Sequence, residues 1–246
     1  MSAYFESLNR RVRVEPVRPQ PVRRPGWEPG RLRRLTPGEV PKGYSALAER
    51  LLLKANKEPL RTLVFAGCSG GEGSTSVVLE FAETLAGTGM NVLLVDADLR
   101  TSGLTSGIAA DGADLLQVVG KPQEMPAASE WGRGKLTIVP SPRATHADKD
   151  RFFRSASFAE WLDTQRSTHD YVLLDAPPLV HFADGTLLGR LADGVVIVVR
   201  SESTERTALV KAREQLASAG ANIVGVVVNR AKNPIPPFLR PYISME

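Results

Sequence analysis

A glycine-rich segment, GCSGGEGSTS at residues 67–76, constrains the fold of this chain more than any other feature. The preceding stretch, RTLVFAG, is apolar and predicts a strand. In the following SVVLEFAETLA, Val78, Phe81, Ala82 and Leu85 recur at the spacing of one helix face. A glycine-rich turn between a strand and a helix aims backbone N–H groups at one point and favours a bound anion. The segment therefore predicts a phosphate-binding loop.

The rest of the chain alternates strand and helix patterns. Strands are predicted near 61–67, 91–96, 136–140, 170–175, 194–200 and 223–229, and helices near 74–88, 112–119, 156–167, 184–192 and 204–219. The strands are almost continuous Val, Ile and Leu, as expected when helices cover both faces of a sheet. The pattern predicts an α/β fold: a three-layer αβα, doubly wound, mostly parallel sheet of the P-loop NTPase type.

Charge and composition divide the chain into three predicted parts. Residues 1–42 hold ten Lys and Arg against four Glu and are rich in proline, which predicts a disordered basic tail. The tail is either a solvated tether or a segment that contacts an anionic membrane. Residues 43–232 form the predicted P-loop domain, whose near-neutral charge argues against nucleic acid, and 233–246 form a short C-terminal tail. One cysteine and no spanning apolar run predict a cytoplasmic protein.

Acidic residues follow two of the predicted strands. VLLVDADLR places Asp96, Asp98 and Arg100 just after one strand, and YVLLDAPP places Asp175 at the end of another. Ligands of a doubly wound sheet lie at the carboxyl ends of its strands, the same edge as the glycine-rich loop. Carboxylates beside a phosphate loop predict a Mg²⁺–phosphate site, because Mg²⁺ takes oxygen ligands.

The ordered motifs GGEGST, VLLVDADLR, YVLLDAPP, ADGVVIVVR and GVVVNR resemble the bacterial tyrosine kinases of capsule and exopolysaccharide synthesis. These are P-loop ATPases of the deviant Walker class, related to septum-site and plasmid-partition ATPases. The likeness covers about 42–232, and the pairing of DADLR with DAPP is its most specific part.

The resemblance implies a site for ATP or ADP with Mg²⁺. It implies that the nucleotide-binding residues are Gly70, Gly71, Glu72, Gly73, Ser74, Thr75, Ser76, Arg100, Asn229 and Arg230. It implies that the metal ligands are Thr75, Asp96, Asp98 and Asp175, with Asp96 and Asp98 also catalytic. Asp184 matches a family aspartate of less certain role.

The chain departs from the family pattern in its loop, its tail and its assembly motif. Ser74 stands where the family has its phosphate-binding lysine, and Ser69 where partition ATPases have a second lysine. The tyrosine-rich tail of the family is reduced to Tyr242, and the E-x-x-R-x-x-R ring motif is missing from the aligned positions Lys42, Ser45 and Ala48.

These departures predict a kinase-like regulator or scaffold with weak or lost catalysis. The resemblance implies a partner, the membrane polysaccharide co-polymerase of the chain-length-determinant type, and a position at the inner face of the cytoplasmic membrane. The alternative is an active ATP-dependent protein-tyrosine autokinase of the same pathway, since Thr75, Asp96, Asp98 and Asp175 are present. A partition or septum-type ATPase fits less well, because both loop lysines are missing.

Overall fold

The computed structural model describes residues 60–108, 112–142 and 149–231, together with three helical positions, Gly43, Tyr44 and Leu47. The predicted basic tail, the C-terminal tail with Tyr242, and the positions Lys42, Ser45 and Ala48 lie outside these residues, so the interpretations placed on them stay predictions. None of the helices in the described part of the chain is long and apolar enough to cross a membrane.

Seven strands form one sheet in the order β3-β4-β2-β5-β1-β6-β7. The strands are β1 Thr62–Gly67, β2 Asn91–Asp96, β3 Ser129–Trp131, β4 Gly134–Val139, β5 Tyr171–Ala176, β6 Gly194–Arg200 and β7 Ile223–Asn229. All neighbouring pairs are parallel except β3 and β4. The predicted fold class is therefore confirmed, and the six predicted strands form at or close to their predicted positions.

Helices connect the strands. They are α1 Ser74–Gly87, α2 Gly103–Ile108, α3 Leu115–Gly120, α4 Lys149–Phe152, α5 Ala156–Thr168, α6 Asp184–Leu191 and α7 Arg206–Ser218, with a 3₁₀ turn at Pro122–Glu124. The start of α3 is set by a capping box, in which Asp114 and Gln117 each accept a hydrogen bond from the other's backbone N–H.

The sequence pattern did not predict β3, α2 or α4. Strand β3 has three residues, none of them buried, and it pairs only with β4 across a tight turn at Gly132. Helix α2 reads GLTSGI, a sequence of low helical propensity. It is held instead by a tertiary contact described below, in which its Thr105 bonds to a carboxylate at the end of β2.

Alternate residues of the central strands enter two apolar clusters, one on each face of the sheet. Val64, Leu93 and Leu174 belong to the cluster that includes Phe158 of α5 and Leu216 of α7. Their neighbours Phe65, Leu94 and Leu173 belong to the other cluster, which includes Phe81 of α1. The period of two residues sends successive side chains to opposite faces, so both helical layers are anchored to the same strands. The packing holds the strands in place, and the carboxyl ends of β2 and β5 carry Asp96 and Asp175.

Candidate nucleotide and metal site

The phosphate loop, residues 67–76, connects β1 directly to α1. Gly70, Gly71 and Gly73 have φ values of 96°, 89° and 87°, in the left-handed region that favours glycine. Gly73 is also the N-cap of α1, and no side chain caps that helix. The first N–H groups of α1 therefore stay available to an anion, which the helix dipole also favours. The loop has the backbone of a phosphate site.

Glu72 folds back inside the phosphate loop. Its Oε1 accepts a hydrogen bond of 2.9 Å from the Ser69 N–H, and the residue is only 4 % exposed. Burial, and then the charge of Glu72, raise the pKa of the neighbouring Cys68 thiol to about 11. The thiol therefore stays protonated near neutral pH, and it packs as a small apolar group.

Asn229, at the end of β7, ties the last strand to the phosphate loop. Its Nδ2 donates a hydrogen bond of 2.9 Å to the carbonyl oxygen of Glu72. A Cβ atom at Gly73 would lie 2.5 Å from that same Nδ2, so a side chain at position 73 would have to displace the Asn229 amide as well as adopt a positive φ. Arg230 follows with a φ of 54°, and its N–H donates to Asn229 Oδ1 at 2.8 Å. The assignment of Asn229 and Arg230 to the nucleotide stays a prediction.

Asp96, Asp98 and Asp175 form the acidic edge of the sheet. Asp96 and Asp175 are paired in the parallel register of β2 and β5. The two carboxylates therefore lie next to each other at the carboxyl ends of these strands. Asp96 accepts hydrogen bonds from the N–H and Oγ1 of Thr105, at 2.8 and 2.5 Å, and from the Asp98 N–H at 3.2 Å. Burial raises the pKa of Asp96 to about 6, and these hydrogen bonds oppose the rise.

Asp175 is the most exceptional member of the acidic edge. It is 1 % exposed, and neither of its carboxyl oxygens has a hydrogen-bond partner of regular geometry among the described residues. Burial raises its pKa well above the usual range, and the charges of Asp96 and Asp98 add to the rise. The Thr75 hydroxyl, at the start of α1, lies close enough to oppose it. A buried carboxylate without partners is costly unless a cation compensates it.

The orphaned oxygens of Asp175 fit a Mg²⁺ ion. No three His, Cys, Asp or Glu side chains in the described ranges converge closely enough to form a metal cage by themselves. Mg²⁺ needs no such cage, since it keeps several waters and takes phosphate oxygens alongside one or two protein ligands. Asp175, Asp96 and the Thr75 hydroxyl are the groups that would hold it. The ion would supply positive charge to the phosphates of a bound nucleotide.

Asp98 has a different environment from its two neighbours. Its Oδ1 accepts the N–H groups of Arg100 and Thr101 at 2.9 and 3.1 Å, and its Oδ2 accepts a short bond from the Thr101 hydroxyl. The carboxylate thus caps the turn that leads into α2. Its acceptor sites are largely used by this turn, which leaves less capacity for the metal or catalytic role predicted from the resemblance.

Arg100 contacts the start of α6 and the loop before it. Its Nε donates to Asp184 Oδ2 at 3.0 Å, and its guanidinium lies 5.4 Å from the ring centre of Phe182. The Asp184 side chain is 5 % exposed, so Arg100 compensates an otherwise buried charge. Arg100 therefore joins the two aspartate motifs instead of standing free over the phosphate loop.

The predicted site residues thus meet at one edge of the sheet. Thr75, Asp96, Asp98 and Asp175 lie close together there, and their assignment as metal ligands stays a prediction. Ser74 and Ser76 lie in the first turn of α1, and the structure records no side-chain contact that assigns them a role.

Hydroxyl residues around the acidic edge were not predicted. Thr105 bonds to Asp96, Ser141 N–H donates to Thr105 Oγ1 at 2.7 Å, and Thr101 bonds to Asp98. The sequence signal for two of them is the hydroxyl-rich run TSGLTS that follows DADLR.

Comparison with known proteins identifies the family to which this chain belongs. The family model described as "AAA domain" matches residues 60–217. The chain is 30% identical over 201 residues to the tyrosine-protein kinase YwqD of Bacillus subtilis, which covers 77% of this chain and 80% of that protein. This chain belongs to the bacterial tyrosine-protein kinase family. A second relative is the succinoglycan biosynthesis transport protein ExoP of Rhizobium meliloti, 28% identical over 69% of this chain but only 22% of that longer protein.

Solved structures support the same fold for this kinase-family chain. The kinase domain of the Escherichia coli tyrosine kinase ETK superposes with a TM-score of 0.65 at 20% identity, covering 78% of each chain. The septum site-determining protein MinD of Pyrococcus horikoshii, solved with Mg-ADP, gives 0.55 at 20% identity over 72% of this chain and 74% of its own. At these identities the likeness shows the fold alone.

Proposed function

We propose that the chain is a kinase-like regulator or scaffold in exopolysaccharide or capsule biosynthesis and export, with weak or lost ATP-dependent catalysis. The observation that carries this proposal is the charge of the phosphate loop, where Ser69 and Ser74 stand at two positions that carry lysines in related ATPases. Phosphoryl transfer depends almost entirely on positioning and on charge stabilisation. Losing one such contact typically costs about 10²–10³ in rate.

The ion pair between Arg100 and Asp184 supports weak or lost catalysis. Arg100, which follows the second aspartate motif, does not replace the missing lysine, because it is bound to Asp184 at 3.0 Å. The capping role of Asp98 acts in the same direction, because its Oδ1 already accepts the N–H groups of Arg100 and Thr101. Catalysis is therefore weakened at the loop and at the second aspartate together.

The proposed partner is a membrane polysaccharide co-polymerase of the chain-length-determinant type. The relative named as a succinoglycan biosynthesis transport protein supports a place in an export system. The chain would lie at the inner face of the cytoplasmic membrane, and its basic residues 1–42 would contact anionic lipid, each nearby charge contributing roughly 1 kcal/mol.

A second candidate function is an active tyrosine autokinase of the same pathway. The observation in its favour is the retained acidic edge, with Asp175 next to both Asp96 and Thr75. MgATP or MgADP binding is compatible with both candidates, since backbone N–H groups and Mg²⁺ supply part of the affinity. A partition or septum-type role has less support, because such ATPases rely on the loop lysines that this chain lacks.

The experiment that separates the candidates mixes the purified full-length chain with MgATP and the cytoplasmic part of the co-polymerase from the same organism. Complex formation is followed by co-purification, and phosphotyrosine by mass spectrometry, with Asp175→Asn as the matched inactive variant. The proposal expects a complex without phosphotyrosine. Phosphotyrosine in the wild type that disappears in Asp175→Asn would establish the autokinase, and failure to form any complex would refute the scaffold.

A further inference from the structure

A polar cleft lies between the phosphate loop and the connection from β6 to α7. Ser69, Gly70 and Gly71 line one side, Arg200 and Thr204 the other, and the cleft has a volume of about 150 Å³. The β6–α7 connection carried no predicted role, although β6 was part of the motif ADGVVIVVR that ends in Arg200.

The backbone at Arg200 is fixed on both sides. Its N–H donates to Thr204 Oγ1 at 2.8 Å, and its carbonyl oxygen accepts the N–H groups of Ser203 and Thr204 at 3.2 and 3.0 Å. The next residue, Ser201, donates its N–H to the Asn229 carbonyl oxygen at 3.0 Å. Because Asn229 also holds the phosphate loop through Glu72, the connection and the loop share one anchor.

The guanidinium of Arg200 is uncommitted. It forms no hydrogen bond or ion pair with any residue in the described ranges, and the residue is half-buried at the side of the cleft. Arg100, in contrast, is bound to Asp184 and packs on Phe182. The acidic groups that line the same cleft are Glu72, which is bonded to Ser69 N–H, and the exposed Glu205.

We propose that Arg200 supplies the positive charge that the side chains of the phosphate loop lack, and that it contacts the phosphate chain of a nucleotide bound at that loop. The inference rests on the proposed function only in taking a nucleotide as the ligand. A guanidinium is always charged and donates up to five hydrogen bonds, so it can contact phosphate oxygens on two sides. The loop N–H groups and Arg200 then face the same anion from opposite walls of the cleft.

The test is calorimetric titration of the full-length chain with MgADP, inorganic tripolyphosphate and adenosine. Arg200→Gln should weaken binding of MgADP and tripolyphosphate at least tenfold, and Arg200→Lys should recover part of the loss because it keeps the charge. Adenosine affinity should not change. Arg213→Gln, which removes an exposed arginine from α7, is the matched control and should bind like the wild type. Thermal unfolding of each variant checks that it is folded.

Three outcomes would overturn the inference. One is equal MgADP affinity for Arg200→Gln and Arg213→Gln. Another is an equal loss of adenosine affinity, which would place Arg200 at the base and not at the phosphates. The third is a wild type that binds neither MgADP nor tripolyphosphate. That last result would leave the scaffold proposal intact, because complex formation with the co-polymerase is measured separately.

Discussion

The acidic edge and the phosphate loop lie at the same end of the sheet, but only one of them keeps its full set of charges. The edge holds Asp96 and Asp175 in direct register, both buried, and one of them has no regular hydrogen-bond partner among the described residues. The loop keeps its left-handed glycines and its uncapped helix, but Ser74 gives it no cation. The edge therefore carries the negative charge that a metal needs, whereas the side chains of the loop itself bring no positive charge to a phosphate. Four measurements probe this imbalance.

The largest expected effect is on stability in Mg²⁺-free buffer as the pH rises from about 4 to above 6. The pKa of Asp96 is raised to about 6, above the value of about 3.9 in an unfolded chain, so the folded state holds this proton more tightly. The stabilisation is complete below the unfolded pKa and is lost as the pH passes the folded pKa. Asp96 alone accounts for about 3 kcal/mol of the free energy of unfolding.

Urea denaturation at several pH values, with Asp96→Asn beside the wild type, measures this loss. Asp175 contributes in the same direction, since its pKa is also raised. Millimolar Mg²⁺ should flatten the wild-type curve, because a bound cation favours the ionised carboxylates. If the free energy of unfolding of the wild type instead rises relative to that of Asp96→Asn as the pH rises, the raised pKa of Asp96 is contradicted.

Asp175→Asn should stabilise the metal-free protein at pH 7 by about 2 kcal/mol, because it removes a buried carboxyl group whose ionisation the folded state disfavours. The same variant should lose any increase in melting temperature that Mg²⁺ gives the wild type. Differential scanning calorimetry with and without Mg²⁺ measures both effects. Glu214→Gln, at an exposed position of α7, is the control and should leave both unchanged. Destabilisation by Asp175→Asn would mean that the carboxylate is compensated within the folded chain.

Ser74→Lys should tighten MgATP binding by roughly tenfold, about 1.4 kcal/mol, because it restores a charged donor at the start of α1. Isothermal titration compares it with the wild type. Ser218→Lys adds the same charge at an exposed site at the end of α7 and should change nothing. If Ser74→Lys gives no gain, the site differs from the active kinases in more than its loop.

The smallest expected effect concerns Thr101. Thr101→Val removes the hydroxyl that bonds to Asp98 and should lower the free energy of unfolding by about 1 kcal/mol. Thr101→Ser keeps the hydroxyl and should stay close to the wild type. Equal stability of the valine and serine variants would show that the turn does not depend on this bond.

The fold was predictable from the sequence because long apolar strands and periodic helices carry their own signal. Strands such as β6, GVVIVVR, are buried on both faces, and such runs indicate a parallel sheet. Helix α2 was not predictable, since its GLTSGI sequence has low helical propensity and the hydrogen bonds from Thr105 to Asp96 are tertiary contacts. The short hairpin strand β3 was missed for a similar reason, because its support comes from β4.

The candidate site was predictable in its members but not in their partners. The motifs indicated that Asp96, Asp98 and Asp175 meet at one edge. They did not indicate that Asp98 caps a turn or that Arg100 pairs with Asp184. Nor did they indicate that Arg200, at the end of β6, lines a cleft beside the phosphate loop. Those facts depend on which side chains the sheet order brings together, and β1 lies between β5 and β6 although their sequence positions are far from it.

The hydrogen bond between Asn229 and Glu72 joins residues 157 positions apart and ties the loop to β7, the last described strand along the chain. During synthesis residues 67–76 leave the ribosome long before residue 229, so this hydrogen bond forms only after β7 has emerged. A nascent chain stopped before β7 would hold an unfinished edge on β6 and a loop without its anchor. The order of translation thus places this contact among the later ones to form at the phosphate loop.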